Sequence, residues 1–420
     1  MTHPKRKSST SRRHNGQQKL FVVAESVPAF DRHSGYQRLY RILELLCKRY
    51  AITFIAYGDD PRYPTDEYIR ALETLGIEVY VRTFRVRRFW RARGHAVVFE
   101  TYRVAEWWLA GVRFLNPALP IIIDSVDLHY LRELRMSEYE PKMRSREQAL
   151  ETRARELGMY SKADAVITVT EHEKNVLAKE LPRLEVMVVP NIHTATEGAV
   201  HGESRIPGSL LFVGGFAHPP NVDAVVYFCH EVLPLIRKVL PSVSVWIVGD
   251  SPPDQVLAMK ALAGVEVTGY VHDLGPYLRK AWISIAPLRY GAGMKGKIGE
   301  AMAAGLPVVT TTIGAEGMQL ENRLTALIAD SAEEFADAVA ELSADIALHA
   351  AIARNAREHV HRNYAPSVME DRLAALLESV ASRSPKRMSL GERVRFCLSL
   401  LSAKALHLCG RRDARGEGAR

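Results

Sequence analysis

Short apolar runs alternate with amphipathic stretches along most of the 420-residue chain. KLFVVAE (19–25) leads into a polar loop holding Ser34 and Gly35. YQRLYRILELLCKRY follows, with Leu39, Ile42, Leu45 and Leu46 at helical spacing, and then AITFIAY (51–57). A buried run, a stripe of period 3.6 and a second buried run predict a β-α-β unit. GIEVYVRTF, HAVVFE, PIIIDSV, ADAVITVT and LEVMVVPN add five more strand-like runs, with helical or loop segments between them.

The pattern breaks at IHTATEGAVHGESRIP, which is polar and without period, and restarts with SLLFVGG, a helical segment, and VSVWIVGD. In the helical segment Asn221 is placed to cap, and Val222, Val225, Cys229, Val232 and Ile236 form one stripe. VEVTGY, WISIAPL, PVVTTT and TALIAD supply the remaining strands. The fold class expected is α/β, with two parallel, doubly wound Rossmann-like sheets. The divisions are a basic tail over 1–18, an N-terminal domain over 19–190 and a linker over 191–207. A C-terminal domain over 208–365, a closing helix over 366–382 and a basic tail over 383–420 complete the chain.

The net charge of +8 changes this picture less than it suggests. Residues 1–20 hold six Lys/Arg and no acid, and residues 381–420 hold ten against three acids, leaving 40 basic and 45 acidic residues for 21–380. A mildly acidic body with basic ends argues against a nucleic-acid groove and suits solvated tails or an anionic membrane surface. No apolar run approaches the ~18 residues of a spanning helix, and the first twenty residues contain no signal core, so a cytoplasmic chain is expected. The four cysteines show no CxxC spacing, and neither disulfides nor a metal site is expected.

The candidate chemistry lies in GAGMKGKIGEAMAAGLPVV (291–309), directly after the run ISIAPL. Glycines let backbone amides approach an anion, a helix N-terminus offers unpaired N–H groups, and Lys295 or Lys297 can add full charge. The same glycines could equally serve helix–sheet packing alone.

GMKGKIGEAMAAGLPVVTTTIGAEGM resembles the signature region of the retaining glycosyltransferases of family 4, the glycosyl transferases group 1. FVGGFAHPPNVDAVVYF looks like the start of that family's C-terminal domain, and IIIDSVDLHYLRELR like a segment of its bacterial polysaccharide and O-antigen branch. The likeness covers roughly residues 20–380. It implies the GT-B fold, two facing Rossmann-like domains with the C-terminal helix returning to the N-terminal one. It also implies a nucleotide-sugar donor, a glycan or lipid-linked acceptor, retention of configuration, and no cofactor or metal.

Carried over residue by residue, the resemblance gives Glu300 the nucleotide ribose, whose hydroxyls a carboxylate accepts from. Gly293, Met294 and Lys295 match the turn that meets the donor pyrophosphate and sugar, and Gly314, Ala315 and Glu316 match a second loop of that site. Val271 and Asp273 match the nucleobase-reading segment, Gly214 and Gly215 the first loop of the nucleotide domain, and Gly35 the N-terminal glycine turn. Asp127 and His129 are candidates for the acceptor side, and Lys295 for stabilising the leaving diphosphate. Three departures stand out. Ala292 replaces the first glutamate of the E-x7-E motif, FAHPPN offers only His218 where an Arg and a Lys are usual, and Val126-Asp127 stands where a His-Asp pair is common.

Several readings stay open at this level. Asp127 could simply cap the helix LHYLRELR, and Glu316 the next segment. Thr170 with Glu173 reads as a capping box rather than a metal motif. The tail ERVRFCLSLLSAKALHL (392–408) could touch a membrane at the inner face or pack on the body. Besides a sugar transferase, a catalytically silent nucleotide-sugar-binding protein or a nucleotide-sugar epimerase on this scaffold fits; AESVPAFDRHSGYQ lacks GxGxxG, which argues against a dinucleotide.

Overall fold

Among the described residues, thirteen parallel strands form two sheets, one strand for every apolar run named above. The computed structural model describes residues 17–399 apart from 33, 59, 61, 64, 82–93 and 195–204. Most of the expected linker and both tail ends thus fall outside the described residues.

The N-terminal sheet contains β1 (Gln18–Ala24), β2 (Tyr50–Ala56), β3 (Glu78–Val81), β4 (Ala96–Glu100), β5 (Ile121–Asp124), β6 (Ala165–Thr168) and β7 (Glu185–Val188). Their order is β3-β2-β1-β4-β5-β6-β7. Its helices include α1 (Ser34–Leu46), α2 (Thr65–Thr74), α3 (Thr101–Leu115), α4 (His129–Tyr139), α5 (Arg146–Tyr160) and α6 (Glu171–Glu180). The strands are apolar on both faces because helices cover both, so they read as runs rather than as alternation. Leu39, Ile42, Leu45 and Leu46 of α1 are buried against one face, as their spacing predicts.

The second sheet has the order β10-β9-β8-β11-β12-β13. Its strands are β8 (Ser209–Val213), β9 (Ser244–Val248), β10 (Val265–Gly269), β11 (Ile283–Ala286), β12 (Val308–Thr310) and β13 (Leu327–Ile328). The helix after β8 starts earlier than the Asn221 cap predicts. His218 is the N-cap and Pro219 and Pro220 open the first turn, as their fixed φ and missing N–H allow, leaving the Asn221 side chain free for another use. Val225, Cys229, Val232 and Ile236 of the stripe nonetheless lie buried in one core with Val222 partly buried against it, and the segment Phe228–Val232 is a π-turn.

The helix over Pro366–Ala381 crosses back. Met369, Leu373, Leu376, Leu377 and Val380 are buried with α1 and β1 residues in the N-terminal core. In each sheet the strand order reverses between neighbouring central strands, β1/β4 and β8/β11. At such points an open α/β sheet leaves a crevice beyond its strand ends.

Candidate active site

The two crevices face each other across a cleft of about 630 Å³. Its C-terminal wall is the turn Tyr290–Lys295 and helix α11 (Gly296–Ala303), with the loop Gly214–His218 beside them. The turn can run this way because Gly293 has φ +68°, and a Cβ there would stand 3.0 Å from the Asp127 Cβ of the facing domain. At Gly296 the approach is closer still, since a Cβ would fall 2.6 Å from the Ser34 Cβ. The N-termini of α1 and α11 therefore meet in the cleft, each presenting unpaired amides and positive dipole.

Of the residues singled out in the sequence, Gly35, Gly214, Gly215, Val271, Gly293, Met294, Lys295, Glu300, Asp127 and His129 all line the cleft. Gly35 lies in the first turn of α1 rather than in a loop. Asp273 does not line it; its Oδ1 accepts from the Gly275 amide at 2.8 Å. Gly314, Ala315 and Glu316 also lie outside the lining. Gly314 packs under Thr310, while Glu316 ties the domains together by accepting from Arg135 at 2.5 and 2.8 Å. Burial works to raise the Glu316 pKa, but Arg135, Lys295 and His172 together hold it below the usual value.

The two lysines differ. Lys295 is only 8% exposed, and its ammonium donates to the Gly293 carbonyl at 2.8 Å and stands 3.7 Å from Glu316. Burial lowers its pKa to about 8, against the pull of Glu316. The Lys297 ammonium donates to Asn221 Oδ1, lies 4.6 Å over the Phe212 ring and, among the described residues, makes no ion pair. Burial and the Lys295 charge lower it to about 7. Asn221 Nδ2 in turn donates to the Gly215 carbonyl at 2.7 Å, so Lys297 belongs to the first glycine loop. A cation from another segment thus stands beside the FAHPPN loop, which linear spacing does not reveal.

Glu300, on α11, accepts from Gln37 of α1 at 2.8 Å, and burial raises its pKa. Opposite, Asp127 does not cap α4. The amides there bond to Glu173 (from Leu128, 3.0 Å) and to Glu156 (from His129 at 3.2 Å and Tyr130 at 3.0 Å). Asp127 instead pairs with Arg132 and, at 3.2 Å, with His129. Burial raises the Asp127 pKa, but Arg132 and His129 outweigh it and hold it low. Burial disfavours charged His129, yet Asp127 and Glu156 leave it raised. Val126, just before, has φ +63°, a strained conformation for a β-branched residue.

The expected capping box forms only in half. Thr170 Oγ1 accepts from the Glu173 amide at 3.0 Å, but the Glu173 carboxylate turns to the Val169 and Leu128 amides. Arg132, Gln37, Tyr63 and Asp250 line the cleft without having been singled out; for Arg132 the signal was its place one turn after His129 on an exposed-looking helix. Among the described residues no group of three or more His, Cys, Asp and Glu could hold a metal ion.

Residues 207–345, which carry the C-terminal wall of the cleft, match the family model described as "Glycosyl transferases group 1". Over those residues the chain is similar to that family, and both of its domains have the architecture of the GT-B fold. A curated relative, an uncharacterized 44.6 kDa protein in the cps region of Klebsiella pneumoniae, is 26% identical over 164 residues. That match spans 37% of this chain and 42% of the relative, less than half of either. Among solved structures, Anabaena HepE in complex with UDP and glucose is similar, with a TM-score of 0.65 at 15% identity over 86% of this chain and 100% of that one. Sucrose-phosphate synthase from Thermosynechococcus elongatus matches with a TM-score of 0.65 at 16% identity, over 87% and 99%. A TarM variant from S. aureus, in complex with UDP among other ligands, does so with 0.65 at 11%, over 86% and 100%. At these identities the GT-B relatives speak for the fold, and chemistry has to be argued from the cleft.

Proposed function

We propose that this GT-B chain is a glycosyltransferase that moves a sugar from a nucleotide-sugar donor to a hydroxyl of a glycan or lipid-linked acceptor, with retention. The observation carrying this reading is the meeting of two helix N-termini beside Lys297, whose amides, dipoles and ammonium together suit a diphosphate. Glu300 then takes the ribose, Val271 borders the base, and Gly214, Gly215 and Gly293–Lys295 surround the pyrophosphate and sugar. The UDP complexes of HepE and TarM make UDP-sugars the first donors to test.

In the reaction the bond from the anomeric carbon to the diphosphate oxygen breaks, and the acceptor oxygen bonds on the same face. The acceptor proton passes to the leaving phosphate. Lys297, Lys295 and the helix N-termini stabilise the charge that develops there. Asp127, held by Arg132 and His129, shapes the acceptor side. Ala292 in the cleft favours a second reading, a silent nucleotide-sugar-binding protein, since the resembling family places a glutamate there.

A membrane contact belongs to the same proposal. Residues 390–399 form a helix that packs the Phe396 ring, tilted, against Phe114 of α3 with 5.4 Å between ring centres, so the tail also rests on the body. Its outer stripe leaves Leu390 79%, Val394 50% and Leu398 57% exposed, next to an α3 face with Trp107 75% exposed. With Arg387, Arg393 and Arg395 alongside, this surface suits an anionic bilayer. Among the described residues no helix is long and apolar enough to cross one.

Incubation with radiolabelled UDP-glucose, UDP-GlcNAc and GDP-mannose, with and without acceptor glycosides, tests the proposal. Transfer to a glycoside supports it; tight binding with neither transfer nor hydrolysis favours the silent reading. The anomeric coupling of the product by NMR reports retention.

A further inference from the structure

The N-terminal wall of the cleft carries a carboxyl group that donor binding leaves unused. Glu100 ends β4, near the middle of its sheet and in register with Asp124 of β5. It is 7% exposed yet lines the cleft beside Glu25, Tyr36 and Thr101. Its position is the N-cap of the 15-residue helix α3, where shorter side chains such as Asp or Ser accept from first-turn amides. No such bond forms. Among the described residues the Glu100 carboxyl has no hydrogen-bond partner, and Arg38, whose charge acts on it, is committed to Asp124 at 2.7 Å and to the Val189 carbonyl.

The backbone holds this arrangement at a cost. Thr101, the next residue, has φ +69°, and Val126 at the end of the neighbouring strand has φ +63°. Each is a β-branched residue in the left-handed region, strain of about 1–3 kcal/mol that a merely structural strand end does not require. A nearly buried carboxyl with no protein hydrogen-bond partner among the described residues, opening on the cleft beside strained backbone, is placed to meet a ligand there.

We propose that Glu100 binds the acceptor hydroxyl, accepting its hydrogen bond and orienting its oxygen toward the donor sugar. The inference rests on the transferase reading and deepens it: the acceptor presents a sugar or polyol hydroxyl to this wall. Glu100 forms no covalent bond, and the proton still leaves with the phosphate. Burial and the neighbouring Asp124 push the Glu100 pKa up to about 8, toward an uncharged carboxyl, a form that can donate as well as accept. Glu25 and Asp124 around it disfavour an anionic acceptor end.

The test uses the full chain, the donor among the three named above that it hydrolyses or transfers, and glycerol with a set of neutral methyl glycosides as acceptors. The quantity read is the partition of donor sugar between acceptor and water, together with calorimetric affinity for UDP and GDP. For Glu100→Ala the expected result is a partition ratio lowered about tenfold while nucleotide affinity stays within about twofold, with Glu100→Gln retaining most of the wild-type ratio. An unchanged ratio in Glu100→Ala, or no preference of the wild type for any of these acceptors over water, overturns the Glu100 inference alone. A wild type that binds none of the nucleotides or donors refutes the transferase reading itself, and the inference with it.

Discussion

Gln37 Nε2 donates to Glu300 Oε1 at 2.8 Å, joining the first turn of α1 in one domain to α11 in the other. The residues are 263 positions apart in sequence, and their contact lies at the floor of the cleft. A carboxylate so placed has one oxygen engaged and further acceptor capacity for vicinal hydroxyls.

Glu300→Ala should weaken nucleoside and nucleotide binding alike, by about ten- to a hundredfold, since a hydrogen bond to a charged group contributes about 1.5–3 kcal/mol. The melting temperature should hold within a few degrees, because the lost partner is a cleft-lining amide. Calorimetry with uridine and UDP beside a thermal melt checks both; unchanged affinity would remove Glu300 from the ribose site.

Gly296→Val places atoms where Ser34 stands, since even a Cβ would lie 2.6 Å from its Cβ. The α1 and α11 N-termini must then separate. Donor affinity should fall by at least about tenfold, the consequence of spreading a preorganised anion site by an ångström. Small-angle scattering should report a larger radius of gyration, and a variant with wild-type affinity and radius would show that the closed approach does not matter.

The pH dependence has a defined sign. Lys297 is lowered to about 7 in the empty cleft by burial and by Lys295, and a bound diphosphate favours its charged form. Its contribution to affinity is therefore full below about pH 7 and declines as pH rises above it, with net proton uptake on binding near pH 8. Calorimetry in two buffers of different ionisation enthalpy measures that uptake. In Lys297→Ala it should shrink toward what Lys295 alone contributes; equal uptake in variant and wild type would assign the protons elsewhere.

For the tail, Leu390→Asp with Val394→Asp replaces two exposed apolar residues on the helix face turned away from Phe396. Sedimentation with vesicles containing anionic lipid should bring down the wild type and lose at least about half of that binding in the variant. If the two proteins partition alike, the stripe does not meet a bilayer.

The fold was legible because both sheets are parallel and doubly covered, which turns each strand into a readable apolar run. The glycine turn and Glu300 were legible through spacing and through resemblance. What spacing could not convey is which side chain reaches which partner across the intervening chain. Lys295 and Lys297 look equivalent in GMKGKIG, yet helix phase aims one at Glu316 and the other at Asn221. Asn221 read as an N-cap until Pro219 and Pro220 took the first turn. Gly314, Ala315 and Asp273 sit on segments near the site, but their own packing and capping turn them out of its lining.

The most direct test of the account compares Lys297→Ala with wild type across uridine, UMP and UDP, or guanosine, GMP and GDP if that series binds. The predicted result is near-equal affinity for the nucleoside, a moderate loss for the monophosphate, and a loss of about ten- to a hundredfold for the diphosphate. Equal losses for all three, or none for the diphosphate, would contradict a diphosphate site at Lys297 and the donor cleft built around it.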